Sequence, residues 1–294
     1  MSLPEANAIR FHDDADLFRE AVNFTAADTA FAARLVEKDY FCTVLLAHVA
    51  AHTGVPLVFK GATCLTKVHA DFYRLSEDLD FALPVPVDAS RAERSRRAAG
   101  VKRVLAGLPR AVPCFRVVEP MKGANNSTHY TGVVGYTSLL SGQGEVIRLE
   151  VGLREPLLTA ATEAQARTIL RDPVTGRPMV PEFGVRCMAK LEAFAEKFRA
   201  ALTRREVAIR DFFDIDYAVR RLGMPLRDGQ LINLVRQKLA VPGNEPVQVS
   251  EQRLADLKRQ LGSQLRPVLR ERDFLEFDLQ RAFRVVAEMA EMVG

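Results

Sequence analysis

The chain has 294 residues, 48% of them hydrophobic and 27% charged, which suits a globular protein long enough for two domains with separate cores. A net charge of +4, from 41 basic and 37 acidic residues, permits an anionic partner and excludes a polybasic nucleic-acid tail. Cys42, Cys64, Cys114 and Cys187 are widely spaced with no C-x-x-C pair, so they argue against a zinc motif or a disulfide framework and read as small buried hydrophobes.

In chain order, the start MSLPEANAIRFHDDADLF is acidic and lacks the apolar core of a signal peptide. No apolar run approaches the ~20 residues of a membrane span, so the expectation is a cytoplasmic protein with no membrane partner. Residues 13–53 then read as helical, with Asp28 as a cap and Phe31, Leu35, Val36, Phe41, Leu45, Leu46 and Val49 close to helical spacing. His48 and His52 are one turn apart, but no acid or third ligand follows them, which favours a helix-surface role over zinc. Residues 55–59 form a short apolar run that leads, as a buried strand, into the small-residue turn Gly61-Ala62-Thr63. Residues 63–73 suit a helix, and residues 79–83 suit a strand stopped by Pro84 and Pro86.

The segment Ser76-Glu77-Asp78-Leu79-Asp80-Phe81 carries the most chemistry. If Leu79 and Phe81 face a core, strand alternation sets Asp78 and Asp80 together on the opposite face. Two carboxylates so placed repel, and the usual compensation is a divalent cation such as Mg²⁺. The Gly61 turn upstream can bring backbone N–H groups to phosphate at a helix N-terminus. Each feature alone has a plainer reading, a solvated strand end or a simple chain reversal. Together, at this separation, they point to handling of a nucleoside triphosphate.

Residues 88–108 place Arg91, Arg94, Arg96, Arg97, Lys102 and Arg103 on a helix, either a solvated face or part of an RNA track. Residues 116–118, 129–136 and 146–153 read as strands separated by turn chemistry. In the last of these Arg148 and Glu150 share a face. If it neighbours the Asp78/Asp80 strand, Glu150 supplies a third metal carboxylate; otherwise it pairs with Arg148. A helix over 162–170 and a connection at 171–178 lead to a region without strand signals. Helices are expected there at 185–202, 210–222, 228–239, 250–261 and 273–292. The expected domains are thus a strand-rich lobe with N-terminal helices over 1–180 and a helical lobe over 181–294. In the latter, Lys190 and Lys197 lie two turns apart on one face, and Asp211 can pair with Lys197 across a helical hairpin. Spacing leaves open whether that pair is structural or presents a lysine to a triphosphate.

Several of these segments, in order, resemble one family. Glu37-Lys38-Asp39-Tyr40 followed by Leu45-Leu46, then Phe59-Lys60-Gly61-Ala62-Thr63-Cys64-Leu65-Thr66-Lys67, then Ser76-Glu77-Asp78-Leu79-Asp80-Phe81 are similar to the AbiEii toxins, to which the MenT toxins also belong. Glu196-Lys197-Phe198, Arg205 and Arg210-Asp211-Phe212-Phe213-Asp214 resemble the family's second block. The family often has Gly-Gly or Gly-Ser at the turn, where this chain has Gly61-Ala62. The resemblance implies an α/β (α+β) fold, a DNA-polymerase-β-like nucleotidyltransferase sheet lobe followed by a helical lobe. It also implies Mg²⁺-dependent transfer from an NTP, an acceptor at the 3′ end of tRNA, and a cognate antitoxin. Residue by residue, it implies that Gly61 and Ala62 cradle phosphate, Asp78 and Asp80 bind metal, Lys197 contacts the triphosphate and Asp211 orients it. Thr63, Lys67 and Lys190 are further expected nucleotide contacts, and Glu150 the third metal ligand. The active site is expected in a cleft between the lobes, walled by Lys60, Lys67, Lys190, Lys197, Arg204, Arg205 and Arg210. The alternatives are transfer to a protein or small molecule, or a non-catalytic nucleotide- or RNA-binding module.

Overall fold

The computed structural model describes residues 9–86, 88–154 and 156–294. The first eight residues, on which the expectation of no signal peptide partly rests, lie outside them. Two compact units emerge. One takes the chain to Leu157 together with Ala161–Met188, and the other takes Leu158–Ala160 with Ala189–Gly294.

In the first unit, α1 (Ala15–Thr29) is capped by Asp14, whose carboxylate accepts from the Leu17 N–H at 3.1 Å. The helical stretch expected over 13–53 breaks after α1 at Ala30, in the left-handed region, and α2 (Ala33–His52) starts afresh without a side-chain cap. Asp28 therefore caps nothing and instead pairs with Arg171 at 3.1 Å. Helix α2 is buried along most of its length, including Glu37, Lys38 and Asp39. Burying charge requires partners, and each has them. Glu37 accepts from the Ser138 hydroxyl (2.6 Å) and the Leu139 N–H (2.7 Å), Lys38 pairs with Glu145 (3.1 Å), and Asp39 pairs with Lys67 (2.6 Å).

After α2 come β1 (Val58–Lys60), α3 (Gly61–Cys64) with a wider helical turn at Leu65–His69, and β2 (Leu79–Ala82). Then follow α4 (Arg91–Arg97), α5 (Ala99–Ala111), β3 (Arg116–Ala124), β4 (His129–Thr137), β5 (Gly144–Gly152), β6 (Thr162–Ala166) and β7 (Phe183–Cys187). The strands form one seven-stranded sheet in the order β3-β4-β5-β2-β1-β7-β6. Pairs β2/β5 and β1/β7 are parallel and the rest antiparallel. Phe59, Leu79, Phe81, Leu149 and Val151 join the side chains of α2 in one apolar cluster.

Beyond breaks within the helices expected over 13–53, 88–108 and 273–292, two segments differ in type from expectation. The helix expected over 162–170 is strand β6 followed by extended chain, and the helix expected from 185 begins only after β7. In β6, Thr-Glu-Ala-Gln-Ala has helix-favouring composition, but five-residue pairing with β7 overrides it. In β7, Phe183, Val185 and Cys187 are buried in alternation with Gly184 and Arg186, a period too short to stand out beside a long helix.

The second unit is helical: α6 (Lys190–Thr203), α7 (Ile209–Arg221), α8 (Gly229–Leu239), α9 (Glu251–Gln260), α10 (Glu271–Glu276) and α11 (Leu279–Val293). Asp228, Ser250 and Asp278 each cap the following helix by accepting from an N–H three residues on. Its core includes Phe194, Phe198, Phe212, Ile215, Val235 and Val286. A buried ion pair between Glu192 and Lys238 (2.7 Å) joins α6 to α8. The N–H groups of Leu158 and Thr159 also donate to Glu192, which ties this short strap into the unit. Among the described residues, no helix is long and apolar enough to cross a membrane.

Candidate active site

Strand register builds the site in the first unit. Lys60 lies opposite Asp80, Asp80 opposite Glu150, and Glu150 opposite Thr131. Directly opposed residues put their side chains on the same face, so these four form one polar row across β1, β2, β5 and β4. The adjacent row, Phe59, Phe81, Val151 and Tyr130, is buried. Leu79 and Phe81 do point into the core, leaving Asp78 and Asp80 partly exposed just before and within β2. Glu150 is on the strand next to Asp80, the position that a third carboxylate requires. Its Oε2 lies 3.7 Å from His129 Nε2, and His129 in turn shares a 3.1 Å hydrogen bond with the Thr131 hydroxyl. Neither neighbour was visible from spacing, because the β4–β5 pairing brings them there.

Gly61 is welded to this row. Its φ of +74° favours glycine, and a Cβ built on it would lie 2.2 Å from Asp80 Oδ2. The carboxylate occupies the space that any side chain at 61 would need. Thr63, two residues on, is buried, and its hydroxyl donates to the Asp78 carbonyl at 2.5 Å. The turn and the acidic strand are therefore one rigid piece, with Ala62 partly exposed beside them.

Two of the expected nucleotide contacts bond within the fold. The Thr63 hydroxyl is committed to the Asp78 backbone. Lys67 is fully buried, with Nζ bound to Asp39 Oδ1 (2.6 Å) and the Thr43 hydroxyl (2.7 Å), which anchors the turn after α3 to α2. The sequence signal for this was Asp39 in a buried helix, a charge that needed a partner.

The donor set suits a divalent ion of the Mg²⁺ type. Asp80 and Glu150 offer hard carboxylate oxygens in register on adjacent strands, Asp78 is two residues from Asp80, and Gly61 leaves room for the Asp80 carboxylate.

A second constellation lies within the helical unit. Lys197 on α6 places Nζ 2.8 Å from both Asp211 Oδ1 and Asp214 Oδ2 on α7, and Arg204 Nη1 is 3.0 Å from Asp211 Oδ2. Burial alone would raise the Asp211 carboxyl, but Lys197 and Arg204 outweigh it and hold it below the usual range, so the carboxylate is charged. The group is a fixed lattice of two cations and two anions. Arg204 is its half-exposed member. Lys190, the first residue of α6, is exposed.

Comparison with known proteins gives this geometry a setting. The family described as Nucleotidyl transferase AbiEii toxin, Type IV TA system matches residues 44–288. No curated protein matches. Similar solved structures include JHP933 from Helicobacter pylori, 15% identical with a TM-score of 0.52 over 90% of this chain and 93% of that one. A putative nucleotidyltransferase from H. pylori is 14% identical, with a TM-score of 0.51 over 90% of this chain and 96% of its own. MenT4, the nucleotidyltransferase toxin Rv2826c from Mycobacterium tuberculosis H37Rv, is 18% identical, with a TM-score of 0.50 over 94% of this chain and 98% of its own. At such identities the likeness is one of fold, and the fold is the mixed α/β sheet with helices of nucleotidyltransferase toxins. With the family matched from α2 to α11, the chain belongs to the AbiEii family of nucleotidyltransferase toxins.

Proposed function

We propose that the chain transfers a nucleotidyl group from an NTP to the 3′ end of tRNA in an Mg²⁺-dependent reaction, and that a cognate antitoxin restrains it. The observation that carries this reading is the polar row in which Gly61 packs directly on Asp80 while Glu150 stands in register beside it. Asp78, Asp80 and Glu150 would hold the metal, which when bound lowers the acceptor hydroxyl's pKa and neutralises charge on the leaving pyrophosphate. The chain's own residues orient the reactants. Gly61 and Ala62 open α3, where first-turn N–H groups have no helical acceptor and can donate to phosphate oxygens. Thr63 and Lys67 fix that turn from behind, one through the Asp78 carbonyl and the other through Asp39. In the helical unit, Lys197, steadied by Asp211 and Asp214, serves the triphosphate as a point charge, and Lys190 adds to the positive potential.

The test is label transfer from each of four α-labelled NTPs to total tRNA, with total protein and a metabolite extract as parallel acceptors. Asp78→Ala and Asp80→Ala should abolish transfer while the circular dichroism spectrum is kept. Full transfer by either variant would overturn the metal assignment, and label confined to protein or metabolites would overturn the tRNA assignment.

A further inference from the structure

The first unit holds a second cluster of ligand-type side chains that the transfer reaction does not use. Cys64 at the end of α3, His69 at the end of the wide turn that follows, and Cys187 at the end of β7 converge. One ligand atom from each lies within 4.8 Å of the others. Both cysteines are fully buried and His69 is partly exposed. We propose that Cys64, His69 and Cys187 bind a thiophilic divalent cation of the Zn²⁺ type, and so pin the helical segment after the Gly61 turn to the end of β7.

Three observations carry this. The separations fit ligands around one tetrahedral ion, since Zn–S and Zn–N bonds of about 2.3 and 2.0 Å set donor atoms roughly 3.5–4 Å apart. His69 Nε2 lies 4.0 Å from Cys187 Sγ. Oxygen is also at hand for a fourth position, because the Thr162 hydroxyl sits 3.3 Å from Cys187 Sγ.

Both thiols would give up their protons on binding a soft cation as thiolates. One existing hydrogen bond would be exchanged for a bond to the ion. His69 Nε2 lies 2.8 Å from the Met188 carbonyl, and its proton would move to Nδ1 as the ring turned ligand. Sequence spacing hid the cluster because Cys187 is brought in by the β1/β7 pairing, in which it stands opposite Phe59.

The experiment uses the full chain, purified under reductant, stripped with chelator and titrated with Co²⁺ and then Zn²⁺. Carriage of Asp78→Asn and Asp80→Asn separates the cluster from the carboxylate row. Cobalt should give sulfur-to-metal charge-transfer absorption in the near ultraviolet and tetrahedral visible bands, saturating at about one ion per chain and displaced by Zn²⁺. Cys187→Ser and His69→Gln should lose or weaken those bands, whereas Cys42→Ser and Cys114→Ser should keep them. Zn²⁺ should raise the Tm in a concentration-dependent way. Absence of thiolate-to-cobalt absorption in the wild-type chain would overturn the proposal, and that result does not depend on any variant folding. Bands of undiminished intensity in Cys187→Ser would overturn it too. So would a Cys64–Cys187 disulfide mapped in protein that takes up no cobalt under reductant.

Discussion

Replacing Gly61 with alanine tests the link between the turn and the acidic strand most directly. Two costs are separable. Holding a non-glycine residue in the left-handed region costs about 1–2 kcal/mol. In addition, the new Cβ would lie 2.2 Å from Asp80 Oδ2 and 2.8 Å from Asp80 Cβ, so the carboxylate must retreat by roughly 1 Å to restore ordinary contact. A displacement of that size in a reacting constellation costs on the order of 10²-fold in rate. Gly142 is the control, since it has φ +73° and nothing within 4 Å of a built Cβ. Gly142→Ala should therefore lower the Tm by a few degrees, at about 2–4 °C per kcal/mol, and leave transfer unchanged. Gly61→Ala should show a similar or larger Tm loss and a roughly 100-fold drop in label transfer from an α-labelled NTP. Wild-type transfer by Gly61→Ala, or an equal loss of transfer in Gly142→Ala, would refute the argument that Asp80 is positioned by the bare glycine.

Lys67→Met should leave Asp39 charged and buried without its cation, costing about 3–5 kcal/mol in chemical denaturation, and the double variant with Asp39→Leu should recover much of that. Lys197→Met should likewise destabilise the helical unit by removing the cation between the buried Asp211 and Asp214 carboxylates, whereas Arg204→Ala, at a half-exposed position, should cost under about 1 kcal/mol; equal losses would remove the distinction. Glu192 is pushed up by burial, yet the Leu158 N–H and Lys238 outweigh this and hold its carboxyl below the usual value, as with Asp211. Because their folded pKa values lie below the unfolded ones, their stabilisation is complete above about pH 4.5 and is lost as pH falls through the lower folded values. Glu192→Gln should flatten that acid limb in a pH series of denaturant midpoints, and an unaltered limb would discount Glu192 as a contributor.

Local order was legible wherever neighbouring residues supply the physics. Alternation at Leu79 and Phe81 against Asp80, the Gly61 turn, and the capping residues Asp228 and Ser250 all act within a few residues of themselves, so their elements stand where the sequence puts them. Strands β6 and β7 were missed because neither has enough residues to overrule local helix preference, and only their pairing with each other and with β1 decides them. The same limit applies to side chains. Asp78 and Asp80 could be named as a pair from spacing, whereas the position of Glu150 beside Asp80 depended on β2 lying parallel to β5 across the intervening chain. The burial of Lys67 against Asp39 was equally out of reach of spacing, because it is set by α2, 28 residues earlier. The sequence by itself determined which residues carry charge, turns and periodicity. Tertiary structure alone decided which charges meet, because register and burial arise from contacts between segments distant in the chain.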